Sequence, residues 1–593
     1  MSIVKEIPKI DLDEKIKTLA ELSPLEYDQI RKETAKQLDV QLKTLDSEVE
    51  KARDGNAGDG DGDGDGEKLS QADYAVILVK DSGAVLFHDD QDMAFAEIPV
   101  DDHVEIWAIE SKQFKKWLNR NYWNAMGKTL REQARRDAIS TLAGLAEIEG
   151  DEHPVHLRTA YSSGRYYIDL CDEQWRVIEV DKSGWRVLDR SPVKFRRTST
   201  MEALPKPEKG GDFEKFWELV NVGESDRPFV LVWMLDSMRS NTQYPVLEIV
   251  GGHGTAKSTL HRFIRRLIDP NAIDLRGAPK SGEDIWVAAR NNHCVSFENL
   301  SSLKANMQNV LCTVATDGGH AGRQFHTNYD EIVVKAFNPT ILNGINPVIT
   351  ASDLSDRAIR IHLPKISGKA MREESEIRTA FEKSQQSIFS GLLDIFVKAL
   401  KEVDNIELKI KPRMVSYSIL GEAVGKVLKW KGSFNDNYLG MRSSLLIEAT
   451  QGSPVIMAIV EMINDQGTFY GTYKTLLEKL DQGRYQIRGE MGTPTTRGLS
   501  GLITRHEQGL SALGFKVTRD AHGRTGSKIK IEIAQAVKSD EQGDSLLSNN
   551  VHDINSGRKV SGDEQRDDAD DELRSYFHKD KEKVDHGFSD FKF

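Results

Sequence analysis

The sequence predicts an α/β chain, and three observations carry that assignment. The first is Tyr244–Thr259, YPVLEIVGGHGTAKST, where an apolar run, a glycine cluster and a Lys-Ser pair follow one another without interruption. The second is a series of short apolar runs beyond it, at His293–Phe297, at Thr340–Leu342 and just after Arg357, with helical spacing between them. The third is a change of period on either side: residues 72–200 are strand-rich at both ends, and residues 454–535 are mostly helical.

Length and charge bound what these elements can be. A chain of 593 residues suggests about four domains, at roughly 150 residues each. Only Cys171, Cys294 and Cys312 are present, none at metal-ligand spacing, which points to a reducing cytoplasm rather than a disulfide framework. The N-terminus is polar, and the longest apolar run, near Phe229–Leu235, is far short of the roughly 20 residues of a membrane span, so a soluble, cytoplasmic protein is expected. The net charge of −13 is unevenly spread. Residues 1–68 carry 11 basic and 18 acidic groups, and residues 536–593 carry 9 and 15, so −13 + 7 + 6 leaves the middle near neutral.

Residues 1–54 read as a small helical segment. Ala35, Leu38, Val40, Leu45 and Val49 have the spacing of a helix-turn-helix core with its turn near Asp39, or of one amphipathic helix that docks elsewhere. The alternating Asp and Gly from Asp59 to Gly66 make residues 55–68 a self-repelling linker, since the closing Glu and apolar positions of a calcium loop are missing. Residues 69–205 read as an α+β domain, with YAVILV, AVLFH and VEIWAI as early strands, helices near Phe114–Trp123 and Leu130–Leu145, and RYYIDL, WRVIEV, GWRVL and VKFRR as late strands. Arg165, Trp175, Arg176, Trp185, Arg186 and Lys194–Arg197 have the chemistry to stack on nucleic acid, but such tryptophans are more often core. His153 and His156, three apart in an extended stretch, fall on opposite faces and make no metal pair.

Helical segments at Phe213–Val220 and Phe229–Met238 lead into the strand at Val246–Val250. The glycine-rich turn that follows has the character of a phosphate cradle: backbone N–H groups at a helix start, a lysine for the outer phosphates and a hydroxyl for Mg²⁺. Gly251, Gly252, His253, Gly254, Thr255, Ala256, Lys257, Ser258 and Thr259 are the candidate nucleotide contacts, and Ala256 stands where the pattern has its last glycine. One methyl group reads as a mild departure. A helix at Ile285–Ala289 precedes the strand His293–Phe297, which ends in Glu298-Asn299, the place of a metal-side acid and a water-polarising base. An amide cannot take a proton, so Glu298 covers both duties or turnover is slow. Arg323–His326 and Glu331–Lys335 read as a hairpin, Thr340–Leu342 as a buried strand ending in Asn343, and Arg357 precedes a last strand.

Taken together, GTAKST, VSFENLS, ATDGGHAGRQF, TILNGI and LSDRAI resemble the superfamily 3 branch of AAA+ ATPases, and more closely prophage or plasmid primase-associated ATPases of the poxvirus-helicase type. The likeness is specific over about residues 210–365 and looser over 70–535. It implies an AAA+ P-loop ATPase core at 206–365 that uses ATP and Mg²⁺ in a hexameric ring on DNA. Lys257 and Ser258 match the nucleotide-binding pair, with Ser258 and Glu298 on the metal. Asn343 falls on the sensor asparagine, and Arg357 on the arginine finger that reaches a neighbouring subunit. Arg323, His326, Thr327 and Asn328 fall on the hairpin that grips single-stranded DNA. Ala256 and Asn299 are the departures.

Residues 366–450 read as a helical lid and spacer, with helices at Glu374–Ser384, Ile388–Val403 and Val415–Trp430. Residues 451–535 follow the order of a winged-helix domain: helices at Pro454–Ile463, Tyr473–Leu480 and Pro494–Leu513, then strands Phe515–Arg519 and Lys528–Ile533 about the turn AHGRTGS. Residues 483–535 hold nine basic and four acidic side chains, with Arg497 and Arg505 on the third helix and Arg524 and Lys528 at the wing, which suits duplex DNA, or else a protein contact. The Ser-, Asp- and Gly-rich tail, 536–593, reads as disordered, and its HGFSDFKF end as a docking peptide for a primase or other replication protein. Expected function is an ATP-dependent helicase or DNA-stimulated ATPase of a mobile element, the alternative being a nucleotide-gated assembly protein that rarely turns ATP over. A small-molecule kinase would leave the hairpin and the wing unexplained, and no primase site is evident.

Overall fold

The computed structural model describes residues 15–534 apart from 21, 23, 39, 41, 57–68, 241, 317, 324–330, 369–370, 483–494 and 521–526. The chain forms two compact units of mixed α/β structure, one of Met1–Ile349 with Arg357–Leu439 and one of Thr350–Asp356 with Gly440–Phe593. The acidic tail and the Asp/Gly stretch lie outside the described residues.

The first unit begins with helices α1 (15–20), α2 (Pro24–Gln37) and α3 (Leu42–Asn56). Ala35, Leu45 and Val49 are buried between them as their spacing suggests, and Asp46 ties α3 to α2 by accepting from the Tyr27 hydroxyl (3.0 Å) and the Arg31 guanidinium (2.9 Å). The run YAVILV, expected as a strand, lies inside helix α4 (Gln71–Asp81), which opens on a reciprocal cap between Ser70 and Asp73 and buries Ala75 and Val79, four apart. A short apolar run carries no period of its own, and the cap decides.

Strands β1 (Val85–His88), β2 (Ala94–Val100) and β3 (His103–Ala108) form an antiparallel meander. After α5 (Lys112–Met126) and α6 (Glu132–Ile148), β4 (Asp151–Glu152) joins β1 in parallel, giving the order β3-β2-β1-β4. β5 (Val155–His156) pairs with β10 (Lys194–Phe195), and β6 (Thr159–Ser162), β7 (Arg165–Asp169), β8 (Val177–Val180) and β9 (Trp185–Leu188) form a second antiparallel sheet. Its tryptophans belong to the core, and its basic residues are held in ion pairs. Trp175 and Trp185 are buried, Arg165 and Arg186 pair with Glu179, Arg176 pairs with Asp172, and Arg197 pairs with Asp169 while lying over the Trp175 ring.

Helices α7 (Glu214–Trp217) and α8 (Arg227–Asp236) precede the central sheet. Its elements are β11 (Val246–Val250), α9 (Lys257–Ile268), α10 (Gly282–Asn291), β12 (Val295–Leu300), α11 (Ala305–Ala315), the hairpin β13 (Gly318–Arg323) and β14 (Glu331–Ala336), β15 (Thr340–Gly344) and β16 (Ala358–His362). The sheet order is β12-β15-β11-β16, every pair parallel. All five residues of β11 are buried, as a central parallel strand requires, and that includes the charge of Glu248. Its carboxylate accepts from the Arg360 guanidinium (2.6 Å) on β16 and from the backbone of Val348 (2.6 Å) and Ile349 (3.0 Å). The ion pair thus fixes the chain that leaves β15.

Helix α12 (Ser352–Ser355) belongs to the second unit, whereas α13 (Glu374–Glu402) and α14 (Val415–Leu428) pack beside α8 and α9 in the first. The two helices expected over 374–403 are one helix of 29 residues. Gln385–Ser387 contain no glycine or proline, so the half-buried polar interval does not end the helix. Helix α15 (Phe434–Gln451) passes from the first unit into the second.

The second unit continues with α16 (Pro454–Gln466), β17 (Thr468–Thr472), α17 (Tyr473–Gln482), α18 (Thr496–Arg505), α19 (Glu507–Ala512), β18 (Phe515–Arg519) and β19 (Lys528–Ile533). The single long helix expected at Pro494–Leu513 is broken at His506, whose buried ring lies 3.3 Å from the Thr450 hydroxyl. The expected two-stranded wing is a three-stranded sheet, β17-β19-β18, because TFYGT pairs with β19. Ile459, Ile463, Leu476, Leu499, Ile503 and Ile531 form its core. No single described helix is long and apolar enough to cross a membrane.

Breaking the pair in the central strand leaves Arg360, 4 % exposed, without its carboxylate. Glu248→Gln is expected to destabilise the first unit by roughly 3–5 kcal/mol, and the double change Glu248→Leu with Arg360→Met to recover most of that loss, read from urea unfolding midpoints.

Candidate functional site

The C-terminal ends of the parallel strands gather most of the candidate residues at one edge. In register, Val250 lies opposite both Gly344 and His362, and Leu300 opposite Gly344, so the glycine-rich loop, Asn343 and the Glu298-Asn299 turn leave the sheet on the same side. Such an edge is where open parallel sheets bind ligands.

The loop is held by its own backbone and by one side chain outside it. Asn221 donates to the carbonyl oxygens of Thr255 (3.2 Å) and Pro364 (2.6 Å), and the Thr255 hydroxyl donates to Gly252 O (3.0 Å). A Cβ on Gly251 would lie 2.7 Å from the Thr255 hydroxyl, so this position needs glycine for close approach. Ala256 is a different matter. It enters α9 at φ +62° and ψ +32°, in the left-handed region where side chains are strained. The pattern's glycine is needed there for its conformation rather than its size, so the departure weighs more than a small methyl group suggests.

Helix α9 starts at Lys257 with no side chain capping its first N–H groups. Its twelve residues direct the positive end of their dipole at the loop. The Lys257 ammonium donates to Gly251 O (2.6 Å) and Gly252 O (2.7 Å), and partial burial draws its pKa below the usual lysine value. Ser258, His253, Gly252 and Gly254 are exposed, and Thr259 is half-buried.

Beside the loop, β12 ends in a bulge. Asn299 sits at φ +54°, the register between β12 and β15 shifts between Phe297 and Leu300, and half-buried Glu298 donates its N–H to Arg276 O (2.7 Å). Asparagine tolerates that backbone better than most residues, which accounts for an amide following the acid. The Asn299 N–H donates to Asn343 Oδ1 (2.8 Å), and the Asn343 amide nitrogen lies 2.8 Å from His261 Nδ1. His261 Nε2 lies 2.9 Å from the Ser296 hydroxyl, which donates to Asp274 O (3.1 Å). His261 is fully buried, and desolvation, with Arg265 and Arg262 nearby, pushes its pKa down to about 3.

Arg357 is at the other edge. Its carbonyl accepts from Val246 N (2.8 Å) where β11 begins, and a five-residue strand separates it from the loop by roughly 16 Å. The side chain is 7 % exposed. It cannot serve the loop of its own chain. Arg323 closes β13 opposite Glu331, a strand that begins at Gly318 rather than at Arg323, whereas His326, Thr327 and Asn328 lie outside the described residues. In the second unit Arg497 and Arg505 are exposed on α18, and Lys528 opens β19 with its ammonium 5.4 Å from the centre of the Tyr470 ring. Arg524 lies outside the described residues, and Arg519 is taken up by Glu507 (2.8 Å).

Sequence reasoning missed Asn221, Ser296 and His261. His261 had a signal, a polar residue on the face of α9 that carries Leu260, Ile264 and Leu267 inward. Asn221, in the turn before α8, had none.

Two outcomes follow. Ala256→Gly removes the strained conformation and should raise stability by about 1 kcal/mol in urea unfolding. Because the folded pKa of His261 lies near 3, below its unfolded 6.5, its neutral ring supports the fold fully above pH 6.5 and loses that contribution as pH falls toward 3. Lowering the pH from 7 to 5 should therefore cost His261→Gln about 2 kcal/mol less than the unaltered protein, by comparison of unfolding midpoints at the two pH values.

Residues 214–425 match the family model described as actinomycete integrative conjugative element replication protein. No curated protein matches the chain. Among solved structures, the apo C-terminal region of NrS-1 is 13% identical, with 79% of this chain and 100% of that one covered at a TM-score of 0.34. The structure titled SCCmec type IV Cch, active helicase, is 12% identical, with 76% and 92% covered at a TM-score of 0.40. The central part of the chain is thus similar to a replication protein of conjugative elements.

Proposed function

We propose that the protein is an ATP-dependent DNA helicase or DNA-stimulated ATPase that serves replication of a mobile element. One observation carries the reading: an uncapped helix N-terminus, a lysine and a hydroxyl follow a buried parallel strand, at the sheet edge that also bears Glu298 and Asn343. Backbone N–H groups of Gly252–Lys257 would hold the β- and γ-phosphates, Lys257 would neutralise them, and Glu298 would orient the attacking water. Ser258 and Glu298 supply two oxygens toward Mg²⁺, which normally takes its remaining ligands from phosphates and water. Bound there, the cation would offset charge on the transferring phosphoryl group.

Arg357 lies at the edge opposite the loop of its own chain, which leaves it to a site completed by a second copy of the chain, as in a hexameric ring. In that reading the hairpin at Arg323–Asn328 contacts single-stranded DNA in the channel. The second unit, read as a winged helix, contacts duplex DNA through Arg497, Arg505, Arg524 and Lys528, and a primase or other replication protein is the further partner. The matched family of conjugative-element replication proteins supports the replication role. A second reading, a nucleotide-gated DNA-binding or assembly protein that rarely hydrolyses ATP, is favoured by Asn299, which puts an amide where a proton acceptor would speed turnover.

Phosphate release with and without single-stranded DNA separates the two. Lys257→Ala should abolish nucleotide binding, losing charge-assisted bonds of roughly 1.5–3 kcal/mol each, measured by equilibrium titration. Arg357→Ala should leave binding intact and lower turnover by roughly 10³-fold. Normal turnover in that variant would rule out the shared site, and no release by the unaltered protein under either condition would leave the second reading.

A further inference from the structure

The hydrogen bonds around His261 admit a single arrangement of protons. The carbonyl of Asp274 can only accept, so the one Ser296 hydroxyl proton goes to it, and Ser296 Oγ must accept from His261 Nε2–H. The neutral ring then accepts at Nδ1, which calls for the NH₂ of Asn343. The Asn343 oxygen is left facing the Asn299 N–H. Flipping the amide would set like against like at both ends.

The far end of this chain is fastened to the same helix. The Asp274 carboxylate pairs with Arg266 of α9 (2.9 Å), so α9 holds the relay through His261 at one point and through Arg266 at another. The near end is a strained one, the left-handed Asn299 that carries Glu298 at its shoulder.

We propose that His261 is a positioning residue: it locks the Asn343 amide so that its oxygen holds the Asn299 N–H, and thereby couples the helix beginning at Lys257 to the turn that presents Glu298. The role rests on reading Gly251–Thr259 as the nucleotide loop. An anion taken up at the N-terminus of α9 would then be felt at Glu298 through two hydrogen bonds, from Asn343 to His261 and from Asn299 to Asn343, and Asn343, with both ends of its amide engaged, acts as part of this relay. His261 touches neither nucleotide nor water itself.

Amide hydrogen exchange over residues 298–300, the nucleotide dissociation constant and kcat would be measured for the unaltered protein, His261→Leu, Ser296→Ala and Lys257→Ala. In His261→Leu the Asn299 amide should exchange about tenfold faster and kcat should fall about tenfold, with nucleotide affinity within about threefold. Ser296→Ala should move both in the same direction by less, and it carries the test if His261→Leu does not fold. An unchanged exchange rate in a folded variant overturns the proposal, as does an imidazole ¹⁵N spectrum showing the Nδ1–H form. Faster exchange with unchanged kcat in an active enzyme also overturns it. If the unaltered protein releases no phosphate, the ATPase reading falls, and exchange at residue 299 with and without ATP decides the coupling by itself: a nucleotide-dependent change lost in His261→Leu upholds it, and no change ends it.

Discussion

The arrangement of the first unit depends on one buried carboxylate, Asp269. It ends helix α9, accepts from Arg158 Nε (3.1 Å) and from the Cys294 N–H (3.0 Å), and lies 3.7 Å from the Arg265 guanidinium. Asp269, Arg158 and Arg265 have no exposed surface. Burial alone would push the Asp269 carboxyl up, but the two guanidiniums outweigh it and hold its pKa below the usual carboxylate range. Burying such charges is tolerable only where further hydrogen bonds accompany the ion pair, and here they do: Arg158 also donates to Asp169 O and Glu202 O, and Arg265 to Cys294 O and Asn292 Oδ1.

The position of the candidate site is a consequence. Lys257 and Asp269 bound the same helix, so anchoring the end at Asp269 sets where the other end meets the loop. Cys294 immediately precedes β12, so the same carboxylate sets the start of the strand that carries Glu298. Arg158, from the turn before β6, brings the antiparallel sheet of the N-terminal part onto this junction. The cluster couples the two parts of the unit through directional bonds, whereas apolar packing alone would let α9 rotate or slide.

A second layer of buried polarity refines that frame. Glu248 and Arg360 within the central sheet secure the chain that follows β15, and the relay from Asp274 to Asn299 sets the turn at the end of β12. Both layers use side chains at positions that an apolar residue would otherwise occupy. The unit is therefore specified by a small number of charged and amide groups set into a hydrophobic sheet, and its site is assembled from the loose ends of that network.

The strand, glycine loop and helix at Val246–Ile268 were legible from residue order, because a short apolar run, glycines and a 3.6-residue period are local properties. The strands that carry Glu298 and Asn343 and the strand after Arg357 were legible for the same reason. YAVILV and Pro494–Leu513 were misjudged because a cap at Ser70 and a buried histidine at 506, facing Thr450, outweighed local pattern. Chain order alone determined which residues had phosphate and acid chemistry and roughly which element bore each. Only the tertiary structure decided that the loop, Glu298 and Asn343 share one edge while Arg357 lies at the other, that Ala256 carries a left-handed backbone, and that His261 links α9 to Asn343. Parallel register and buried hydrogen bonds join residues tens of positions apart, and no local period encodes such pairings.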